Sequence, residues 1–268
     1  MLPPYLVLEK PVGKTPLEVV TSWKQEHGIP ADFPVSYAGR LDPMASGKLL
    51  VLVGEECKRQ KEYTGLDKEY VIEVLLGVGT DTGDVLGRPS LSNNSPTLSK
   101  LTHILKDEVD TVDRPYPVFS SKTVAGKPLF MYALEGTLDS ITIPTHSETI
   151  YRIKQLRSDT ITTSVLESRV NELLSKAPTS DEPSKVLGAD FRIKTIQPEW
   201  QDIFSEHPDH RFTVLTLRVT CGSGTYMRTL AERIGSSLGT YGAALSITRT
   251  RIGRYQTFPF GFWRREYR

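Results

Sequence analysis

The sequence has few cysteines, no long apolar run and no excess of charge of either sign. Its two cysteines, Cys57 and Cys221, lie far apart and form no Cys-x-x-Cys pair, which argues against a disulfide framework and a zinc knuckle. No apolar segment approaches the roughly 20 residues that a membrane helix needs. These absences exclude a disulfide-rich secreted domain and a helical membrane protein, and they favour the reducing cytoplasm.

Charge is balanced over the whole chain but not along it. The 268 residues include 33 lysines and arginines and 32 aspartates and glutamates, a net charge of +1. A nucleic-acid surface would therefore need segregated charge, and residues 249–268 provide it with arginines interleaved with aromatic side chains. Arginine pairs with phosphate and aromatic rings stack on bases, so this segment suits RNA. A tail folded back on the domain, with its arginines in water, fits the same pattern nearly as well.

Apolar spacing divides the chain into alternating strands and helices. The predicted strands cover residues 5–10, 49–53, 69–76 and 212–221. The predicted helices begin at Thr15–Pro16, Leu98, Val165 and Thr225. A helical insertion is predicted near residues 145–210, with a solvated break at 177–184, because too few apolar residues surround this segment to fill a core of its own. The pattern favours one domain.

Asp42 is the first candidate for chemistry. It lies in a polar, turn-rich loop that leads into a buried strand, and Pro43 biases it towards an extended backbone. An exposed carboxylate in such a loop could act as a nucleophile or a base. The alternative is that Asp42 caps a helical turn beginning at Pro43. Without further information the cap is favoured, but the spacing alone does not decide between the two.

Arg228 and Tyr70 are the next candidates. Arg228 follows a glycine-rich turn and could pair with a catalytic carboxylate or a phosphate, the alternative being a solvated surface arginine. That turn lacks the Gly-Lys-Ser/Thr ending of a P-loop, which argues against a nucleotide cofactor. Tyr70 could stack on a base, although an aromatic residue that opens a strand more often belongs to the core. The only close histidines, His207 and His210, flank a proline, so no metal site is predicted.

Three sequence blocks have an order and spacing that one family shares. The first is GRLDPMASG at residues 39–47, which matches a Gly-x-Leu-Asp-Pro-x-Ala-x-Gly motif. The second combines DKEY at 67–70 with TDTGDVLG at 80–87, and the third combines GTYMR at 224–228 with TRTRIG at 248–253. Together these blocks resemble those of the TruB-type tRNA pseudouridine synthases over nearly the whole chain.

The resemblance implies a role for each residue of one pocket. Asp42 would be the catalytic aspartate, Arg228 its guanidinium partner, Tyr70 the aromatic contact of the target uracil and Ile247 the apolar residue against the base. It further implies a reaction on a flipped uridine in the tRNA T-loop, at position 55, without a metal or cofactor. The expected fold is the pseudouridine synthase fold, an α/β (α+β) domain with a mixed, mostly antiparallel central sheet flanked by helices.

The sequence departs from the family pattern at three places. Bacterial members usually carry a histidine five residues before the aspartate, where this chain has Tyr37, which we expect to supply stacking on the base without charge. The family's Ser-Ala-x-Lys segment is offset here, so Lys122 is expected to miss its counterpart's contact. Only thirteen residues follow Tyr255, so we expect no separate PUA domain and a partial substitute in the basic aromatic end.

We therefore expect one catalytic domain over residues 1–268 that acts as a cytoplasmic monomer on the T-arm of tRNA. Two alternatives remain open: a pseudouridine synthase for another structured RNA, and a non-catalytic RNA-binding or RNA-folding protein. A glycoside or nucleoside hydrolase using Asp42 is a third, although the sequence places no convincing second carboxylate for a paired-acid mechanism.

Overall fold

The computed structural model of the chain describes residues 2–178, 192–258 and 260–268. Its strands are β1 (Tyr5–Lys10), β2 (Val35–Ala38), β3 (Ala45–Val53), β4 (Asp67–Leu76), β5 (Val78–Thr80), β6 (Pro89–Leu91), β7 (Thr111–Pro115), β8 (Thr123–Val124), β9 (Lys127–Pro128), β10 (Thr145–Thr162), β11 (Arg211–Cys221), β12 (Gly242–Gln256) and β13 (Phe262–Glu266). Its α-helices are α1 (Pro16–Glu26), α2 (Gln60–Thr64), α3 (Leu101–Asp107), α4 (Leu129–Glu135), α5 (Thr163–Ser175), α6 (Ile193–Glu206) and α7 (Met227–Ser237). Within these described ranges, no helix has the length and apolar character needed to cross a membrane.

One mixed sheet of nine strands organises the described part of the chain. Its order is β1-β3-β12-β4-β11-β10-β7, with β2 added on β3 and β13 on β12. Neighbouring strands are antiparallel except β3 and β12, which run parallel and place Ala45 beside Ile247. The predicted fold class, a mixed and mostly antiparallel sheet flanked by helices, is confirmed. The parallel pair matters for function because it joins the segment after Asp42 to a strand from the end of the chain.

The main hydrophobic core joins the sheet to helices α3, α5, α6 and α7. Leu230, Ala231 and Ile234 of α7 are fully buried, as their helical spacing predicts. Strand β11 is buried along most of its length, with β4 and β10 on its two edges and α5 packed against it. This rigid centre supports the loops at one end of the sheet.

Helix α1 begins as its sequence signature predicts. The Thr15 hydroxyl accepts a hydrogen bond from the Glu18 N–H at 3.2 Å, and the Glu18 carboxylate accepts one from the Thr15 N–H at 2.6 Å. This reciprocal pair satisfies two backbone donors that the first helical turn leaves free. Just before the helix, the Gly13 N–H donates to the Pro43 carbonyl at 2.9 Å, so the start of α1 contacts the loop that carries Asp42.

Helix α7 starts later than the sequence predicts. The predicted first residue is Thr225, but the helix begins at Met227 because Tyr226 has an extended backbone. The Thr225 hydroxyl donates to the Gly222 carbonyl at 3.3 Å, which stabilises a turn instead of a helical residue. The later start still leaves Arg228 in the first turn of α7.

The segment 145–210, predicted to be a helical insertion, is helical only in part. Residues Thr145–Thr162 form β10, which pairs with β7 and then with β11, and the described helices of the segment are α5 and α6. The prediction fails over β10 because this stretch is rich in threonine and isoleucine, whose branched side chains favour strands, and because it supplies the hydrogen bonds of the β11 edge. The predicted break at 177–184 lies outside the described residues from residue 179 onwards.

The end of the chain folds back on the sheet. Strand β13 pairs with β12, and Tyr267 is buried with its ring 5.0 Å from that of Tyr5 and 5.7 Å from that of Tyr63. The folded-back arrangement is therefore the one present. Phe258 and Phe260, which lie between the two strands in the sequence, nevertheless stand in water.

Candidate active site

A cleft of about 630 Å³ opens where the loop before β3 meets β4, β12 and the start of α7. Its lining includes all five site residues that the sequence singles out, which are Tyr37, Asp42, Tyr70, Arg228 and Ile247. These positions are spread over two hundred residues of sequence. The pairing of β3 with β12 and of β12 with β4 brings them together.

Asp42 begins a β-turn and caps no helix. The Ala45 N–H donates to the Asp42 carbonyl at 3.0 Å, with Pro43 at the second position of the turn, where its fixed φ is favoured. The Asp42 side chain is 45% exposed and accepts a hydrogen bond from Nε of Arg228 at 2.9 Å. One face of the carboxylate is thus held by a cation while the other stays open to a ligand.

Arg228 is a buried residue, contrary to the alternative of a solvated surface arginine. Its side chain is only 6% exposed. Besides its bond to Asp42, it donates from Nη1 to the Thr82 carbonyl at 2.7 Å and from Nη2 to the Phe119 carbonyl at 3.0 Å. Three acceptors from three distant segments therefore fix the plane of one guanidinium.

Asp84 is a second carboxylate beside Arg228, which the sequence pattern assigns only to a turn. Its Oδ2 lies 3.5 Å from Nε of Arg228, and its Oδ1 accepts hydrogen bonds from the Thr82 hydroxyl and the Leu86 N–H, both at 3.0 Å. Burial raises the pKa of Asp84 to about 6. The positive charge of Arg228 opposes this increase, and the negative charge of Asp42 adds to it.

The two carboxylates differ in what they can contact. Both line the cleft, but the Asp84 side chain is only 7% exposed whereas that of Asp42 is 45% exposed, so Asp42 is the more accessible of the two. The structure thus supplies the second carboxylate that the sequence did not reveal, in a position where the protein's own groups hold it. Burial by itself would lower the pKa of Arg228, yet the two carboxylates raise it above its ordinary value, and the guanidinium stays charged.

Apolar and aromatic side chains form the walls around Asp42. Tyr70 and Ile247 belong to the main core and also line the cleft. Tyr70 can therefore pack in the core and contact a base from the same position. Burial raises the pKa of Tyr70 and of Tyr226, a cleft residue that the sequence reasoning did not single out. Both hydroxyls are therefore neutral at physiological pH, which keeps these walls uncharged. Tyr37 lines the same cleft and packs in part on the apolar cluster beneath α1.

Arg249 connects the two ends of the loop that carries Asp42. It is 1% exposed and donates from Nε to the Lys48 carbonyl at 2.7 Å, from Nη2 to the Gly39 carbonyl at 3.2 Å and from Nη1 to the Arg40 carbonyl at 3.3 Å. Gly47, opposite Arg249, has a φ of +101°, and a Cβ there would collide with the Arg249 carbonyl. The sequence groups Arg249 with a basic tail, and no local pattern distinguishes it as buried.

Two lysines are also buried next to the loop. Burial lowers the pKa of Lys10 and of Lys68 to about 8, although the charge of Asp42 partly offsets the effect on Lys10. Lys10 donates to the Pro43 carbonyl at 3.3 Å, and Lys68, which lines the cleft, donates to the Thr64 carbonyl at 2.7 Å. Each lysine is held by backbone carbonyls, which do not neutralise its charge.

The offset Ser-Ala-x-Lys segment contributes its serines to the cleft. Ser120 and Ser121 line it, whereas the Lys122 ammonium stands 4.9 Å from the ring centroid of Tyr116. In the ranges that the structure describes, no group of three or more histidine, cysteine, aspartate or glutamate side chains could hold a metal ion. The cleft thus presents one open carboxylate paired with a buried guanidinium, with uncharged tyrosine and isoleucine side chains on one side and buried cations such as Lys68 and Arg249 beside the loop.

Comparison with known proteins identifies relatives over most of the chain. Residues 33–171, just over half of the chain, match the family model described as TruB family pseudouridylate synthase (N terminal domain). A tRNA pseudouridine synthase B of Caldicellulosiruptor saccharolyticus is 27% identical over 249 residues, which cover 92% of this chain and 67% of that protein. A protein of the same name from Deinococcus deserti is 28% identical over 256 residues, which cover 94% of this chain and 74% of that protein.

A solved structure shares the fold at lower identity. A chain in the crystal structure of a Cbf5-Nop10-Gar1 complex superimposes with a TM-score of 0.54 and 19% sequence identity. The match covers 93% of this chain and 48% of that one, so this chain spans about half the length of its structural neighbour. The likeness agrees with the fold class derived from the sheet.

Proposed function

Because the chain belongs to the TruB family of pseudouridylate synthases, we propose that it isomerises the T-loop uridine of tRNA, at position 55, to pseudouridine. Relatives named tRNA pseudouridine synthase B that align with more than nine-tenths of the chain support tRNA as the substrate. The observation that carries the proposal is the 2.9 Å ion pair between half-exposed Asp42 and buried Arg228 in a largely apolar cleft. Asp42 is the proposed catalytic residue, and Tyr37, Tyr70, Arg228 and Ile247 form the proposed uridine site.

The reaction needs no electron acceptor. The bond from C1′ of the ribose to N1 of the uracil breaks, the uracil turns, and a bond forms from C1′ to C5. A proton leaves C5 and N1 gains one, so the product is an isomer of the substrate. The protein must therefore hold a detached base and a reactive sugar in one place and move protons between them.

Asp42 is the proposed residue that starts these reaction steps. Its open oxygen can attack the sugar at C1′, attack the base, or take a sugar proton to give a glycal. Arg228 serves each route, because it fixes the carboxylate in one orientation before the substrate arrives and so lowers the entropic cost of the step. Asp84, behind Arg228, adds a second negative charge that holds the guanidinium in place.

The walls of the cleft protect the detached uracil. Tyr70 and Ile247 are nearly buried and would exclude water from a base placed between them. Exclusion of water prevents hydrolysis at C1′ of the ribose while the uracil is detached. Bringing the uridine out of its stack costs a few kcal/mol, and aromatic contacts with Tyr70 and phosphate contacts with cations at the cleft offset that cost.

The proposal involves one domain and one copy of the chain. Strands from both ends of the sequence, β1 and β13, belong to the same sheet, which supports a single domain. We propose one catalytic domain over residues 1–268 that acts as a monomer and contacts the tRNA T-arm in the cytoplasm, where tRNA is used.

Release of tritium from RNA labelled at uridine C5 tests the function. We expect release from a transcript with the T-loop uridine and none from a transcript in which that uridine is replaced. In Asp42→Asn the rate of release should fall by about 10²- to 10⁴-fold, with RNA affinity retained. Asp159→Asn is the matched control, because Asp159 is also about half-exposed and paired with an arginine, at 3.4 Å from Arg157.

Each remaining outcome favours another function. Release that depends on Asp42 but not on the T-loop uridine would identify a pseudouridine synthase for a different RNA. Binding without release from any RNA would identify an RNA-binding protein. Full activity in Asp42→Asn would refute the catalytic role of this carboxylate.

A further inference from the structure

The C-terminal hairpin, defined as residues 251–268 with β13 and the end of β12, carries a surface that the cleft does not use. It contains five arginines and one glutamate, a net charge of +4 in a chain whose total is +1. Three phenylalanines of the hairpin stand in water, with Phe258 exposed to 79%, Phe260 to 91% and Phe262 to 46%. Grouped exposed rings among cations are typical of a binding surface for an anionic partner that has flat rings of its own.

Gly261, the residue after Phe260, packs against the end of β12. It has a φ of +66°, and a Cβ there would collide with the Tyr255 hydroxyl, so its backbone lies directly against that ring. Tyr255 is itself held, because its N–H donates to the Asp67 carboxylate at 2.7 Å. Phe260 thus directly precedes a residue that is packed on β12.

A row of aromatic rings connects the rim of the cleft with this hairpin. The ring centroids of Tyr151 and Tyr255 are 5.5 Å apart, and those of Tyr255 and Trp263 are 5.4 Å apart. The Tyr151 hydroxyl donates to Asp67 at 3.0 Å and lies beside Gly222, which lines the cleft. From Ile247 in the cleft, β12 runs nine residues to its end, or about 30 Å at ~3.3 Å per residue.

We propose that the C-terminal hairpin is a second RNA-binding surface, which holds a part of the substrate RNA about 30 Å from the uridine in the cleft. Phe258 and Phe260 stack on unpaired bases, and the exposed arginines contact phosphates. The inference rests on the proposed function in one respect, namely that the RNA is the one whose uridine enters the cleft.

The charges favour RNA over a protein partner. Arg254 and Arg265 stand opposite each other in the pairing of β12 with β13. Like charges in that position destabilise a sheet, and a bound polyanion removes the repulsion. The one acidic residue of the hairpin, Glu266, is already paired with Arg251 and Arg268, at 3.9 and 3.4 Å, so it does not oppose a phosphate at the other arginines.

Binding of two RNAs to the double variant Phe258→Ala/Phe260→Ala tests the rings. We expect the Kd for full-length tRNA to rise about fivefold or more for each stack that is removed, and the Kd for an isolated T-arm hairpin to stay within about twofold. The single-turnover rate with saturating enzyme should be unchanged, because neither residue is part of the cleft. Tyr241→Ala, which removes another half-exposed ring, is the control and should change neither Kd.

The arginines have a separate test in the salt dependence of binding. For Arg254→Ala/Arg264→Ala, the slope of log Kd against log salt for full-length tRNA should fall by roughly 0.7 to 0.9 for each phosphate that the variant no longer neutralises. Arg157→Ala, an exposed arginine of β10, is the control and should leave the slope unchanged. A wild-type slope in the arginine variant together with a wild-type Kd in the phenylalanine variant would overturn the inference.

Two other outcomes would also overturn it. An equal loss of affinity for both RNAs would mean that the hairpin supports the structure of the cleft. A wild-type dimer that the phenylalanine variant converts to a monomer, with tRNA affinity unchanged, would make the surface a contact between copies of the chain. Because Kd is measured without turnover, absence of pseudouridine in the wild type would refute the proposed function while leaving this surface to be judged on binding alone.

Discussion

Replacement of Arg228 by lysine tests whether one fixed guanidinium controls the position of Asp42. Lysine keeps the positive charge but has a single ammonium, which cannot reach Asp42, Thr82 and Phe119 in the geometry that the three arginine nitrogens provide. A hydrogen bond to a charged partner contributes about 1.5–3 kcal/mol. If the bond to Asp42 is broken or misaligned, the rate of the chemical step should fall by roughly 10- to 150-fold.

The same substitution also lowers stability, and the structure gives the scale. The part-buried carbonyls of Thr82 and Phe119 lose a charged donor, and because water reaches them in part, each loss costs less than the roughly 1–3 kcal/mol of a fully buried unsatisfied acceptor. Typical domains have a free energy of unfolding of about 5–15 kcal/mol, so we expect Arg228→Lys to fold with a lower Tm. The assay should run well below that Tm, with folding checked by circular dichroism.

The measurement is single-turnover tritium release with saturating enzyme, alongside RNA binding by filter retention. Arg233→Lys is the matched control, because Arg233 also lies on α7 and pairs with the largely buried Glu108 at 2.9 Å, outside the cleft. We expect the control to lose stability with a rate close to wild type. A rate in Arg228→Lys within about twofold of wild type would refute the reasoning, as would a loss confined to RNA affinity.

Three further predictions follow from the buried groups around the cleft. Burial raises the pKa of Asp84 to about 6, so the Asp84 carboxylate becomes charged and able to hold the Arg228 guanidinium as pH increases through 6, and the single-turnover rate should rise over the same range. Asp84→Asn should remove this rise. A flat wild-type rate from about pH 5 to 7 would contradict the role of Asp84 in holding Arg228. Burial lowers the pKa of both Lys68 and Lys10 to about 8, so RNA affinity should fall between about pH 7 and 9 as their ammonium groups lose their charge. Lys68→Met should bind RNA more weakly than wild type at about pH 7 and should lose less affinity between about pH 7 and 9. A decrease equal to that of wild type would exclude a contribution of Lys68. Gly47→Ala forces a side chain against the β12 backbone at a φ of +101°, at a cost of at least about 2 kcal/mol, and should lower the Tm in calorimetry by about 4 °C or more, whereas Gly65→Ala, where φ is negative and the nearest atoms are 3.8 Å away, should not.

Local sequence patterns predict the elements whose stability is local. Thr15 and Glu18 form the capping box that the sequence indicates, and the alternating run at 212–221 forms β11. The helix predicted from Val165 is confirmed as α5, but the extension of the helical insertion back to residue 145 is wrong, because residues 145–162 form β10 against β7 and β11. Periodicity describes one segment at a time and does not report which edge another strand leaves open.

The candidate site divides in the same way. Family motifs identify Asp42, Arg228, Tyr70 and Ile247, but the distances among them depend on the parallel pairing of β3 with β12 and on the late start of α7. The burial of Arg249 cannot be predicted from its neighbours in the sequence. An arginine in a basic segment is expected in water, and it becomes buried only because the loop that carries Asp42 closes over it.

Burial of cations explains how a chain with a net charge of only +1 can attract RNA to one place. The charge of Arg228 is balanced by Asp42 and Asp84, but three further cations, Lys10, Lys68 and Arg249, are nearly inaccessible to solvent and surround the same loop. Their fields are screened less by water and salt than those of surface lysines, so they raise the positive potential at the cleft beyond what net charge indicates. For the two lysines this arrangement has a cost, since burial lowers their pKa to about 8 and leaves the charged form less stable than in water. A phosphate near them would restore part of that stability, which makes RNA binding and lysine protonation mutually reinforcing at this site.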